Sequence, residues 1–318
     1  MTTPPEPLRL RGAELASRLS LPGLARELFD RPLLIVEGAA PPAPALRDLP
    51  AVTVLVDADD THADFDLSVS ADALPLIDAA VTANPNAATV LVQQVRLAEL
   101  LSPRAGLAAE SLAYGALQGG AEHADWRSTQ GRRVRPALDT PPLQVSETDA
   151  GIVVTLDRPR LRNALSTEMR DALVEVLEAA ALRPGVPITI TANGPAFCIG
   201  GDLAEFGTAT DPAEAHRIRH TANVAPALLP VADRTTVIID GPAVGAGVEL
   251  AAFANRVEAT AQASFALPEV AMGLIPGAGG TVSGPRRIGR HAFNWLALTG
   301  QRIGAPQAMR LGLVDDVR

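Results

Sequence analysis

Two glutamates in the second half of the sequence have apolar neighbours on both sides. Glu249 is flanked by Val and Leu, and Glu269 by Pro and Val. Because an apolar environment disfavours the ionised carboxylate, such a group can have a raised pKa that suits it to proton transfer. Either residue alone could equally be a solvated carboxylate near the start of a helix. The pair is therefore a candidate for acid–base chemistry.

Two glycine-rich loops share one design. The stretches "ITITANGPAFCIGGDL" (188–203) and "TTVIIDGPAVGAGVEL" (235–250) each run from an apolar strand through small residues toward a helix with an acidic residue nearby. Free N–H groups at a helix start bind anions or developing oxyanions, and Gly and Ala let a ligand approach the backbone. A tight turn without a ligand is the alternative for each loop. A phosphate loop is excluded because the chain has no Lys and no G-x-G-x-x-G motif.

The elements that position these residues alternate between strand and helix after residue 140. The pattern predicts strands at 151–157, 187–192 and 235–240, the last two being continuous apolar runs of the fully buried kind. Ser166 is the predicted N-cap of an amphipathic helix over 167–181. This alternation favours an α/β fold.

The first part of the chain differs in composition, with Pro clusters at 41–50 and 136–142. Because Pro disfavours helix and suits extended connections, we place the main boundary near residue 140. Residues 1–140 form a predicted N-terminal α/β and helical region, and residues 141–318 a second domain. In the first region the pattern predicts strands in "AVTVLVD" and "FDLSV" and helices over 72–83, 86–101 and 104–120.

Composition limits the function classes. The chain of 318 residues has a formal net charge of −9, which argues against a broad nucleic-acid or anionic membrane surface, and its apolar runs are too short to span a bilayer. The first fifteen residues lack the apolar segment of a signal peptide. The single cysteine, Cys198, cannot form an internal disulfide. These features predict a cytoplasmic protein.

The second half of the chain resembles the crotonase, or enoyl-CoA hydratase/isomerase, superfamily. The resemblance covers about residues 143–318 and rests on five blocks in the family's order: "LDRPRLRNALSTEM", "GPAFCIGGDLAEF", "IDGPAVGAGVELAAFANRVEA", "FALPEVAMGLIPGAGGT" and "LTGQRIGAPQAMRLGLVDDV". Any one block would be weak, but five at family-like spacing are specific. The resemblance implies a crotonase-like ββα superhelix with an associated helical region.

The resemblance also implies roles for the residues singled out above. The backbone N–H groups of Gly201 and Ala246 would bind the thioester oxygen and stabilise an enolate. Retention of both glutamates favours hydration of a 2-enoyl-CoA, in which Glu249 activates a water and Glu269 supplies a proton to the α-carbon. The alternatives are an enoyl-CoA isomerase or another acyl-CoA activity, and a non-catalytic CoA-binding scaffold subunit.

Further residues are expected to contact the acyl-CoA. They are Arg160, Leu161, Ala164, Gly200, Asp202, Leu203 and Gly245. Coenzyme A belongs to the substrate, so no separate cofactor is expected. No metal is expected either, because His216 and His220 lack a third ligand. Cys198 is not expected to be a nucleophile, because it lacks a His partner and is better explained as a small buried residue. By resemblance the protein forms a homo-oligomer, a trimer or a dimer of trimers, in the context of fatty acid metabolism.

The sequence departs from the family in the order of its parts. Family members continue past "GLVDDV" with helices that close the acyl pocket, whereas residues 72–130 of this chain resemble those helices but precede the core. The hypothesis is a circularly permuted crotonase with 131–142 as the joining linker, in which Leu112, Tyr114 and Trp126 line the acyl pocket or a subunit contact. The rival is an unrelated N-terminal domain on a truncated core.

Overall fold

The computed structural model describes residues 6–21, 23–56, 62–131 and 140–318. The strands are β1 (Leu8–Arg11), β2 (Leu33–Glu37), β3 (Val52–Val56), β4 (Leu67–Val69), β5 (Leu143–Thr148), β6 (Gly151–Leu156), β7 (Ile188–Ala192), β8 (Thr235–Ile239), β9 (Pro242–Val244), β10 (Arg256–Ala259), β11 (Ser264–Ala266), β12 (Ile303–Gly304) and β13 (Asp316–Val317). The helices are α1 (Gly12–Leu19), α2 (Leu24–Asp30), α3 (Leu74–Ala83), α4 (Pro85–Leu100), α5 (Pro103–Gln118), α6 (Ala121–Thr129), α7 (Thr167–Ala181), α8 (Pro212–Thr221), α9 (Val224–Leu228), α10 (Ala246–Ala251), α11 (Gly280–Ile288), α12 (Arg290–Thr299) and α13 (Ala305–Arg310). Short 3-10 helices lie at Pro44–Asp48, Pro159–Leu161, Leu229–Arg234 and Val270–Met272.

The first part of the chain forms a four-stranded parallel sheet in the order β1-β2-β3-β4. Alternate side chains of β2 point to opposite faces, so Leu34 and Val36 join a cluster with α1 and α2, while Leu33 and Ile35 join the main core. Apolar residues on both faces explain why β3 is buried along its whole length. The predicted strands at β3 and β4 are confirmed, whereas β1 and β2 were not predicted.

The central sheet has six strands in the order β13-β10-β8-β7-β6-β5, with only β5 antiparallel to its neighbour among the described strands. The strands predicted at 151–157, 187–192 and 235–240 correspond to β6, β7 and β8. The predicted helix is α7, and the side chain of Ser166 accepts a hydrogen bond from the N–H of Met169 at 3.3 Å. This cap explains where α7 begins.

Helices α3 to α6 pack onto the core that follows them in sequence. One apolar cluster contains Val81 of α3 and Leu91 of α4 together with Val154 of β6 and Phe265 of β11. Helix α5 contacts α4, α8 and α11. The three helices predicted for this region are confirmed as α3, α4 and α5. The linker predicted at 131–142 falls largely on residues 132–139, which lie outside the described residues.

Candidate active site

The two glycine-rich loops lie side by side with parallel backbones. They follow β7 and β8, which are adjacent in the central sheet. The N–H of Phe197 donates to the carbonyl of Pro242 at 3.0 Å, and the N–H of Val244 donates to the carbonyl of Cys198 at 2.8 Å. These hydrogen bonds fix the register of the two loops relative to each other.

Gly200 and Gly245 have positive φ angles, +91° and +52°, which favour glycine. A Cβ on Gly200 would lie 3.2 Å from the carbonyl oxygen of Val244 and 3.8 Å from the nitrogen of Ala246. A Cβ on Gly245 would lie 2.5 Å from Oε1 of Glu269. The lack of side chains at these two positions therefore lets the loops approach each other and Glu269.

The N–H groups of Gly201 and Ala246 donate no hydrogen bond to another described residue. Leu165 holds the first loop in place, because its N–H donates to the carbonyl of Gly200 at 2.7 Å and its carbonyl accepts from the N–H of Asp202 at 3.2 Å. Ala246 begins α10, where helix N–H groups have no intrahelical acceptor. Both residues line one pocket, so both donors are available to a ligand there.

This pocket has a volume of about 900 Å³ and is lined by all of the predicted catalytic, oxyanion-binding and CoA-binding residues. They are Arg160, Leu161, Ala164, Gly200, Gly201, Asp202, Leu203, Gly245, Ala246, Glu249 and Glu269. Tyr114 also lines it, as expected, together with Gln118 of the same helix and Arg219 of α8, which the sequence analysis missed. The residues predicted for the site thus lie together in one pocket, to which helices α5 and α8 add polar side chains.

Two other residues suggested for the acyl pocket are not in its lining. Leu112 is 59% exposed and does not line the pocket, so the pocket role is wrong for it, while the alternative role in a subunit contact stays a prediction. The Trp126 ring lies 6.1 Å, centroid to centroid, from the ring of Phe206, which does line the pocket. Trp126 therefore packs on a residue of the pocket lining but does not line the pocket itself.

Glu249 is a buried carboxyl group held by the start of α11. Its Oε2 accepts hydrogen bonds from the N–H groups of Ala278 at 2.7 Å and Gly280 at 2.9 Å. Burial raises the pKa of Glu249 to about 7, and these two N–H donors limit the rise. A carboxyl group with a pKa near neutrality can act as a base at physiological pH.

Glu269 precedes the 3-10 helix at Val270–Met272, and its backbone carbonyl accepts from the N–H groups of Met272 and Leu274, both at 2.9 Å. The residue is half-buried, but its Oε2 atom is enclosed and has no hydrogen-bond partner among the described residues. Burial, followed by the charge of Glu249, raises the pKa of Glu269 well above its ordinary value. Both carboxyl groups therefore line one pocket with pKa values raised chiefly by burial, which is an arrangement suited to proton transfer.

Another buried carboxyl group, Glu110 of α5, binds the start of α11 and was not identified from the sequence. Its Oε1 accepts from the N–H of Gly279 at 2.8 Å, and its Oε2 accepts from the N–H of Thr281 at 2.9 Å and from the Thr281 hydroxyl at 2.7 Å. Glu110 and Glu249 thus bind alternate N–H groups at the start of α11. Burial, followed by the charge of Glu249, raises the pKa of Glu110 to about 8.

We expect Glu110→Gln to destabilise the fold by about 1–3 kcal/mol, because the new amide nitrogen cannot accept a hydrogen bond and would face a buried donor. The free energy of unfolding from denaturant titration measures the change. Glu175→Gln, at an exposed position on α7, is the matched control and should change it little. Equal stability of the Glu110 variant and the control would contradict a structural role for these hydrogen bonds.

Comparison with known proteins decides the family. The family model for enoyl-CoA hydratase/isomerase matches residues 147–318. The chain belongs to this family. It is 37% identical to the 2,3-dehydroadipyl-CoA hydratase of Escherichia coli (strain K12), covering 55% of this chain and 68% of that protein. It is 34% identical to the enoyl-CoA isomerase/hydratase fer4 of Mycosarcoma maydis, covering 52% of this chain and 64% of that protein.

A solved structure places the fold in the same family. The enoyl-CoA hydratase subunit I of Geobacillus kaustophilus HTA426 matches with a TM-score of 0.51 and 34% identity, covering 55% of this chain and 68% of that one. The predicted α/β crotonase-like fold is therefore confirmed, and membership supports an enzyme of the lyase or isomerase type. The chain spans about two thirds of the length of these relatives, from 64% to 68%. Helices α3 to α6 precede the range that the enoyl-CoA hydratase/isomerase model matches.

The cysteine and histidines of this hydratase/isomerase family member lie outside the candidate active site. Burial raises the pKa of the Cys198 thiol to about 11, which suits an inert side chain. Nδ1 of His216 lies 2.9 Å from Oγ of Ser111. Over the described ranges, no three His, Cys, Asp or Glu side chains are grouped as metal ligands. No helix in those ranges has both the length and the apolar character needed to cross a bilayer.

Proposed function

We propose that this chain is an enoyl-CoA hydratase that adds water syn across the double bond of a 2-enoyl-CoA. One observation carries the proposal: Glu249 and Glu269 line the pocket that Gly201 and Ala246 also line, and the N–H groups of these two residues have no acceptor among the described residues. Hydration needs a base for water, an acid for the α-carbon and donors for the enolate oxygen. This pocket contains a candidate for each role.

In the proposed reaction, the thioester oxygen accepts hydrogen bonds from the N–H groups of Gly201 and Ala246. The oxygen of water attacks C3 while Glu249 takes one of its protons, and the electrons of the double bond move toward the thioester oxygen as an enolate. Glu269 then donates its proton to C2 as the carbonyl re-forms. Bonds to C3 and C2 replace the π bond, and proton exchange with solvent restores both glutamates.

The proposed roles predict the pH dependence of hydration. The rate should rise as the pH increases through about 7, because Glu249 must be deprotonated, and should fall at higher pH as Glu269 loses its proton. Initial rates of enoyl absorbance loss across the pH range give this profile. In Glu249→Gln the residual rate should lack the rise through neutral pH. A wild-type rate that decreases with pH through neutrality would contradict the assignment of Glu249 as base.

The CoA part of the substrate is proposed to lie along Arg160, Leu161 and Ala164. The side chain of Arg160 is exposed at the edge of the pocket, where a guanidinium can pair with phosphate. Oδ1 of Asp202 accepts from the N–H of Ala204 at 2.9 Å, which supports a role in shaping the loop.

The proposal includes no cofactor beyond the CoA of the substrate. We also propose that the protein is cytoplasmic and forms a homo-oligomer, either a trimer or a dimer of trimers.

We further propose that residues 72–130 take the place of the family's C-terminal helices, so that the chain is circularly permuted, with an N-terminal region to residue 140 and a catalytic core from 141. Tyr114 and Gln118 of α5 line the pocket, and Glu110 of the same helix binds the start of α11. These contacts support the permuted arrangement over an unrelated appended domain, because an unrelated domain would not be expected to contribute residues to the pocket lining.

The direct experiment is incubation of purified protein with crotonyl-CoA and with longer and branched 2-enoyl-CoAs. Loss of enoyl absorbance with formation of the 3-hydroxyacyl-CoA is expected. Movement of the double bond in a 3-enoyl-CoA without water addition would instead indicate an isomerase. Failure of every substrate to react would favour a CoA-binding scaffold subunit.

A further inference from the structure

Arg219 brings a positive charge to the pocket that Glu249 and Glu269 also line. Its side chain is half-buried, and its guanidinium carbon lies 4.7 Å from the centre of the Tyr114 ring. That ring packs on Gly277, where an added Cβ would lie 2.3 Å from Cδ2 of the tyrosine. Gly277 directly precedes Ala278, whose N–H binds Glu249, so the Tyr114 ring lies next to that segment and Arg219 packs on the ring.

The guanidinium is bound only by neutral acceptors in the described part of the chain. Nε donates to Oγ of Ser111 at 3.2 Å, Nη1 to Oε1 of Gln118 at 3.1 Å and Nη2 to the carbonyl of Ser111 at 3.4 Å. No carboxylate of the described residues lies within ion-pair distance of it. An arginine has five N–H donors, so this fixed guanidinium retains donors for a further acceptor.

Burying part of a charged side chain without a counter-ion in contact costs desolvation free energy, so the position of Arg219 calls for an explanation. Burial lowers the pKa of Arg219 from its ordinary value, although the charge of Glu110 favours the protonated form. Glu110 itself already accepts hydrogen bonds from Gly279 and Thr281. An anionic group on the ligand would supply a counter-charge in direct contact with the guanidinium.

We propose that Arg219 binds a carboxylate at the far end of the acyl group, so that this chain acts on 2-enoyl-CoAs that carry a second, distal acid group. The inference rests on the proposed function because it uses the same pocket. The phosphates of CoA are the other available anions, but the pantetheine arm separates them from the thioester, whereas Arg219 packs on Tyr114, whose ring lies against Gly277 in the same pocket as the glutamates. A bidentate guanidinium–carboxylate pair supplies both charge and geometry for this recognition.

The test compares 2-enoyl-CoAs of equal chain length that end in either a methyl group or a carboxylate. The wild type should prefer the carboxylate-ended substrate, and Arg219→Gln should lower kcat/KM for it by about 100-fold while changing the methyl-ended substrate by only a few-fold. Arg219→Lys should recover part of the loss. Arg217→Gln, at an exposed position on the same helix, is the control and should match the wild type.

Two outcomes would overturn the inference. An equal loss of kcat on both substrates would mean that Arg219 acts on the glutamates, and an equal rise in KM would mean that it binds CoA phosphate. Calorimetric binding of saturated acyl-CoAs with the same two ends separates the inference from the proposed function. If no substrate turns over but the carboxylate-ended ligand binds more tightly, and Arg219→Gln removes that difference, the hydratase proposal fails while the inference stands. Retained binding of the methyl-ended ligand shows that the variant is folded.

Discussion

Glu249→Gln should lower kcat for hydration by about 10³-fold while changing KM little, because the side chain keeps its shape but cannot take a proton from water. The amide oxygen of Gln can still accept from the N–H groups of Ala278 and Gly280, which Oε2 of Glu249 binds now. The start of α11 should therefore stay in place. Steady-state kinetics with a 2-enoyl-CoA measure the effect.

Glu269→Gln should give a loss of the same order through the other half of the reaction, since an amide cannot protonate C2. Its Oε2 has no hydrogen-bond partner among the described residues, so the replacement should leave stability nearly unchanged. Glu175→Gln serves again as the neutral control. Full activity in either active-site variant would contradict the two-carboxylate mechanism, and unchanged partner binding with no turnover in the wild type would favour the scaffold alternative.

Ala246→Pro should lower kcat by about 10²- to 10³-fold, because it removes one of the two N–H donors proposed for the enolate oxygen. Ala246 is the first residue of α10, a position at which proline fits the helix. Gly245 precedes it with a φ of +52°, which glycine adopts without strain. The variant therefore removes a donor with little expected change in the backbone, and single-turnover rates would report the chemical step.

Ala246→Gly is the matched control, since it keeps the N–H and removes only a methyl group. Its kcat should stay within a few-fold of the wild type. Equal losses in the proline and glycine variants would show that the side chain, and not the N–H, is what matters at this position.

The sequence predicted the parts of the site that depend on local chemistry. Small residues between a buried strand and a helix start define each loop, and the family resemblance implies Gly201 and Ala246 as the donors within them. Ser166 marked the start of α7 for the same reason, because a cap requires only a few neighbouring residues. Glu249 and Glu269 were identifiable from their apolar neighbours, although their protonation depends on burial.

The parts that sequence missed depend on long-range packing. Glu110 reaches Thr281 from 171 positions away, and Arg219 reaches Ser111 across 108 positions. On their own helices both residues look like ordinary solvated charges, so only the docking of α5 on α8 and α11 reveals their partners. The one signal available was an acidic residue, Glu110, among small and apolar residues of α5.

The most direct test of the account is product analysis after incubation of the wild type with a 2-enoyl-CoA in D₂O. The proposed mechanism predicts a 3-hydroxyacyl-CoA with solvent deuterium at C2, syn to the new hydroxyl, because Glu249 and Glu269 act on one face of the substrate. Deuterium exchange or double-bond migration without water addition would contradict it.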